Sequence, residues 1–278
     1  MPLFPLPKFT RHTFIAINGD IVADAEIALA SANPLLIASG AIAGSSGVNK
    51  FGENPLIVAG TTEDVWDGGG TYVFPTTATI THIRQATDQV ATDGGATIQL
   101  QGLDASWNLV VQTAVLDATD TTVEVILPTP LIRVFRKKVH ANVVLAADVW
   151  SGATGMAAAT AKSIIQAGNN QTLMAIYTVP AGKTAYMNNY FLDNVPNASR
   201  APDSVEFKLW MADRANGYEF QLKHERAIPI AGASVVHRFD PPMPITEKTD
   251  IKISATVVGG VGDDGHPHAG FDLVLIDN

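Results

Sequence analysis

One order of β-rich segments occurs twice in this chain of 278 residues. Residues 71–80 (TYVFPTTATI) and 176–185 (IYTVPAGKTA) are each broken by a proline, Pro75 or Pro180. A second run follows each, ITHIRQ at 80–85 or AYMNNYF at 185–191, and then a polar loop. ATIQLQ at 96–101 and VEFKLW at 205–210 both alternate apolar and polar side chains, the period of a half-buried strand. Turn-rich links at 104–108 and 213–217 lead into 109–115 and 218–222. TVEVIL at 122–127 and SVVHRF at 234–239 then precede Pro-x-Pro steps, at Pro128 and Pro130 or at Pro242 and Pro244. Each unit closes on a strand, 132–139 or 251–257, and the second adds FDLVLI at 271–276. This ordered match predicts an all-β chain built as two tandem antiparallel β-sandwich or jelly-roll-like domains.

The expected organisation is an extended N-terminal arm at 1–59, a first sandwich at 60–150, a linker at 151–168 and a second sandwich at 169–278. The alanines of GMAAATAKSII at 155–165 could support a helical turn, and the stretch could equally be a strand closing the first sandwich. In the arm, Pro2, Pro5 and Pro7 oppose helix, and no apolar run of signal-peptide type follows the basic residues. No residue from Ile27 to Asn49 is charged, which is long enough to consider a membrane helix. Its serines, with Asn33, Pro34, Gly40, Gly44 and Gly47, dilute the apolarity, so an arm lying on another subunit is preferred and no membrane partner is expected.

Charge narrows the function classes. With 18 basic and 27 acidic side chains the net charge is −9, so no nucleic-acid partner is expected, because phosphate binding needs concentrated positive charge. Cysteine is absent, which removes disulfides, thiolate catalysis and Cys-type metal sites. Charged residues make up 16%, against about 25% in ordinary soluble domains, as suits a surface covered by neighbours.

Chemistry-bearing motifs are sparse. The P-loop template fails at 44–50, no GxGxxG follows a strand, and no cofactor is expected. In EDVWDGGG at 63–70, the carboxylates of Glu63, Asp64 and Asp67 flank Trp66, a pattern open to sugar stacking and glycoside hydrolysis. The preferred reading is structural, with the glycines making turns and Trp66 anchoring a core. Asp263, Asp264, His266 and His268 place two carboxylates and two imidazoles within six residues, a set that cations accept. A solvated hairpin tip is preferred there, because Pro267 restricts how both rings converge. The one basic cluster, Arg133, Arg136, Lys137 and Lys138 with His140 beyond, sits on an expected strand, where charge protects an edge or docks an acidic neighbour. His12, His82, His224 and His237 are isolated in sequence and receive no catalytic role.

Several blocks look like those of a family of tailed-phage virion structural proteins. They are VNKFGENP at 48–55, EDVWDGGGTY at 63–72, QLQGLD at 99–104, NQTLMAIYTVPAGKT at 170–184, FQLKHE at 220–225, EKTDI at 247–251 and FDLVLIDN at 271–278. The resemblance spans about residues 48–278 and carries no catalytic motif to transfer. It implies a non-enzymatic capsid decoration or cement protein on the outer surface of the head, with the major capsid protein and copies of itself as partners, a trimer among the arrangements. A tail, neck or fibre-associated protein gripping host glycans is the alternative. In the first 47 residues, which the resemblance leaves uncovered, Phe4, Phe9 and Phe14 would be anchors, and Lys8 and Arg11 would bond carboxylates.

Overall fold

The computed structural model describes residues 15–17, 20–22, 34–140, 142–196, 202–229 and 234–278. Helix among these is limited to α1 (Pro34–Ala38), α2 (Val90–Asp93) and a 3-10 turn at Ala158–Thr160. No helix among the described residues is long and apolar enough to cross a membrane. A small hairpin, β1 (Ile15–Ile17) with β2 (Asp20–Val22), precedes the main body.

The first sandwich packs two antiparallel sheets face to face. One is ordered β12 (Ser163–Ile165), β11 (Val149–Gly152), β6 (Ile80–Gln85), β9 (Val125–Leu131). The other is β10 (Arg133–Val139), β7 (Thr97–Leu103), β8 (Leu109–Val115). Alternation explains the faces, since β7 turns Ile98 and Leu100 inward. They meet Ile80 and Ile83 of β6, Leu127 and Leu131 of β9 and Val149 of β11.

The second sandwich repeats that order with longer strands. One sheet runs β17 (Val235–Ile245), β14 (Lys183–Pro196), β19 (Asp264–Asp277), β3 (Ser45–Glu53), and β4 (Ile57–Val58) also pairs with β19. The other runs β13 (Ile176–Thr178), β18 (Thr249–Val258), β15 (Ser204–Asp213), β16 (Gln221–Pro229), and β5 (Thr62–Asp64) also pairs with β18. Val205, Phe207, Leu209 and Met211 of β15 face Phe271, Leu273 and Leu275 of β19 across the core. Strand for strand, β9–β6–β11 corresponds to β17–β14–β19, and β10–β7–β8 to β18–β15–β16, so the expected duplication extends to topology.

Two stretches take roles other than those expected. Residues 45–58, read as arm, supply β3 and β4 along the edge of β19, and β5 takes the edge of β18. Backbone ladders satisfy the donors of these edges, which an unpaired strand would leave open. Of the two readings of the linker stretch, the strand closing the first sandwich is the one formed, since β12 pairs with β11 after the 3-10 turn, so these residues belong to that sandwich and do not bridge the two. Leu103, Ile132 and Phe135 of the first half also enter the core of the second, with the Phe135 and Tyr177 rings 4.6 Å apart. The halves are therefore packed into one body.

Candidate functional site

The Trp66 stretch is used internally. Trp66 is 6% exposed, and its ring meets Tyr72 edge-on at 5.1 Å while its indole N–H donates to the Gly70 carbonyl at 3.3 Å. The other constraint is Gly68: a Cβ there would stand 2.1 Å from the indole ring, so only glycine lets the backbone cross it. Glu63 accepts from the Gly70 N–H at 2.5 Å and from Asn54 Nδ2 at 2.9 Å. Asp64 accepts from the Tyr72 N–H at 2.7 Å and from Lys252 Nζ at 2.9 Å. Asp67 accepts from the Leu173 N–H at 2.5 Å, and burial pushes its carboxyl up to about 8. All three carboxylates hold turns or join segments, and the indole, though it lines a cavity of about 330 Å³ with Gly68, Gly69 and Gly70, is packed edge-on against Tyr72 with little exposed surface.

The basic cluster divides by burial, and a bulge at Phe135 sets Arg133, Arg136 and Lys138 on one face of β10 and Lys137 on the other. Arg136 is exposed and Lys138 half-buried, but Arg133 and Lys137 are buried, which corrects the expectation that all four lie on a docking surface. Arg133 makes a bidentate pair with Asp250, Nε to Oδ1 and Nη2 to Oδ2 both at 2.9 Å, and also donates to the Pro75 carbonyl. Its guanidinium lies 5.1 Å from the Phe74 ring and 4.9 Å from the Trp107 ring. Asp250 also accepts from Thr178 at 2.6 Å and from Arg214 at 2.8 Å. This network ties β10 of the first sandwich to β13 and β18 of the second. Lys137 donates to the carbonyls of Val149 at 2.7 Å and Ser163 at 2.9 Å, and burial holds its amine well below the usual lysine range. Phe4, Lys8, Phe9, Arg11 and Phe14 lie outside the described residues.

The acidic histidine stretch is also split. Asp263 closes a turn by accepting from the Gly260 N–H at 2.5 Å, and Asp264 is buried at the start of β19. His266 and His268, two residues apart on one face of β19, meet Glu53 of β3, with Nε2 to Oε2 distances of 3.4 and 3.8 Å. This overturns the expected hairpin tip, since His266, Pro267 and His268 lie within β19 and the two rings converge to 4.7 Å, while Glu53 lies far away in sequence. Histidines 224 and 237 are likewise not isolated: their rings stack at 4.2 Å between β16 and β17, and Tyr190 Oη bonds His224 Nδ1 at 2.5 Å.

The edge strands of the first sandwich leave apolar side chains in solvent. On β8 the outward positions Leu109, Val111 and Val115 are exposed, and Ile126 of β9 is 72% exposed.

No protein-family model matches this chain, and no curated protein matches it. Among solved structures, the chain aligns with one from "Structure of infectious bursal disease virus Gx strain" at 10% identity, TM-score 0.21, over 83% of this chain and 72% of that one. The Gt strain structure gives 11% identity, TM-score 0.21, and 83% and 70% coverage. Likeness at this level carries no argument about function.

Proposed function

We propose that this chain is a non-enzymatic virion structural protein, a capsid decoration or cement protein seated on the major capsid lattice together with copies of itself. The observation that carries this reading is the division of side chains. The carboxylates of Glu63, Asp64 and Asp67 and the basic groups of Arg133 and Lys137 bond internally, while the edge strands β8 and β9 expose Leu109, Val111, Val115 and Ile126. Outward apolar side chains gain by burial against a neighbour, and a body whose halves share a core can transmit load between neighbours. The resemblance of ordered sequence blocks to tailed-phage virion proteins supports the same reading. On this reading the N-terminal residues cross a subunit boundary: Pro2, Pro5 and Pro7 reduce the entropy lost on docking, and Phe4, Phe9 and Phe14 act as anchors.

The test is attachment to purified particles that lack the chain. Full-length protein should saturate at a copy number comparable to the major capsid protein, and removal of residues 1–20 should leave it folded but abolish stable attachment. Saturation at a few copies per particle, or undiminished binding by the truncated chain, would overturn the proposal.

A further inference from the structure

Strand register brings Glu53, His266 and His268 together. In the antiparallel ladder His268 stands opposite Glu53 of β3 on one side and Asp193 of β14 on the other. Directly opposed residues share a face with Cβ atoms about 5 Å apart, and His266, two positions along β19, shares that face. One ligand atom from each of Glu53, His266 and His268 lies within 4.8 Å of the other two. A tetrahedral ion bonded at about 2.0–2.1 Å separates its ligand atoms by about 3.4 Å. The observed 3.4 Å and 3.8 Å distances to Glu53 therefore need only a small ring adjustment.

The state of the two imidazoles points to a ligand. Both Nε2 atoms are shielded from solvent, and neither makes a hydrogen bond among the described residues. A shielded ring nitrogen that approaches a carboxylate without forming a hydrogen bond is costly unless something occupies its lone pair. The rest of each ring is reachable, with side chains 35% and 38% exposed, which leaves an entry path. Asp193, opposite His268 on the other side of the ladder, places a second carboxylate on the same face. Two imidazoles with one carboxylate suit a borderline divalent metal, whereas Ca2+ and Mg2+ prefer all-oxygen sets.

We propose that Glu53, His266 and His268 form a site for one borderline divalent transition-metal ion of the Zn2+ type, which clamps β3 onto β19. The ion goes beyond the particle reading in its consequence: β3 is an edge strand contributed from far upstream, and the clamp fixes it to the second sandwich. Because the ion binds the folded chain, it raises folded-state stability with concentration.

Calorimetric titration of the metal-free full-length protein with ZnCl2 should give one site per chain, and Zn2+ should raise the thermal midpoint. Glu53→Gln, a near-isosteric change on a partly exposed side chain, should weaken Zn2+ binding by more than about tenfold while leaving the metal-free midpoint unchanged. His268→Ala should do the same, whereas a double His224→Ala, His237→Ala variant should bind as the parent does. No Zn2+ binding, equal or stronger binding of Ca2+ or Mg2+, or Zn2+ binding lost in the His224/His237 variant but kept in Glu53→Gln would overturn the proposal.

Discussion

In the first sandwich the flank between β8 and β9 is closed by an amide: Gln112 donates to the Thr129 carbonyl at 2.9 Å and accepts from its N–H at 2.8 Å. In the second, the equivalent flank between β16 and β17 is closed by rings, with His224 stacked on His237 and both beside Tyr190 and Phe239. The opposite flanks differ too. Residues following the first sandwich's strands, β12 and Gln171 bridged to Lys138, seal one, while the upstream strands β3, β4 and β5 seal the other. One strand order is thus stable with different closures, because each closure supplies the same thing, partners for the groups at the sheet edges. The closures decide how each half responds to its surroundings.

The largest effect should come from breaking what joins the halves. Arg133→Ala leaves Asp250 buried with fewer partners and should cost about 3–5 kcal/mol in denaturant unfolding. Arg214→Ala, which removes a part-exposed partner of the same carboxylate, should cost less. Equal and small losses from both would mean that the halves are not held together through this pair. A smaller effect is expected at the first flank. Gln112→Ala strips the Thr129 N–H and carbonyl of their partners and should cost about 1–3 kcal/mol at any pH, since β8 and β9 carry no titratable side chain.

The smallest effect should appear only in acid and only at the second flank. Burial, helped by His237 and Arg226, holds His224 below its ordinary value of 6.5. Just below that value the unfolded chain binds more protons than the folded one, so stability falls as pH drops through the window. Hydrogen exchange compared between about pH 7.5 and about pH 5 should, after correction for intrinsic rates, accelerate in β16 and β17 but not in β8 and β9. His224→Phe should remove the difference, and uniform behaviour of both flanks would show that the closures are electrostatically equivalent.

The recurrence of segments along the chain was readable because proline-broken runs and inward alternation, as in Ile98 and Leu100 or Phe207 and Leu209, recur in step, whereas the order of strands within each sheet was not, since it is set by pairing between segments distant in sequence. The burial of Arg133 and Lys137 was not readable, because the bulge at Phe135 breaks the strand period and turns the two to opposite faces of β10, Arg133 beside Leu103 and Lys137 beside Leu100. The allegiance of β3 was not readable, because backbone pairing with β19 leaves no side-chain period and joins segments distant in sequence. The same distance hid Glu53 from His266 and His268, and the expectation kept Asp263 and Asp264 in the set instead.

The central claim is adhesion on a particle, and electron cryomicroscopy of the virion tests it most directly. The account predicts paired β-sandwich densities repeated across the head lattice, with the β8 and β9 edge of the first sandwich against a neighbouring subunit. Density for this chain confined to the tail or neck, or absent from the particle, would contradict it.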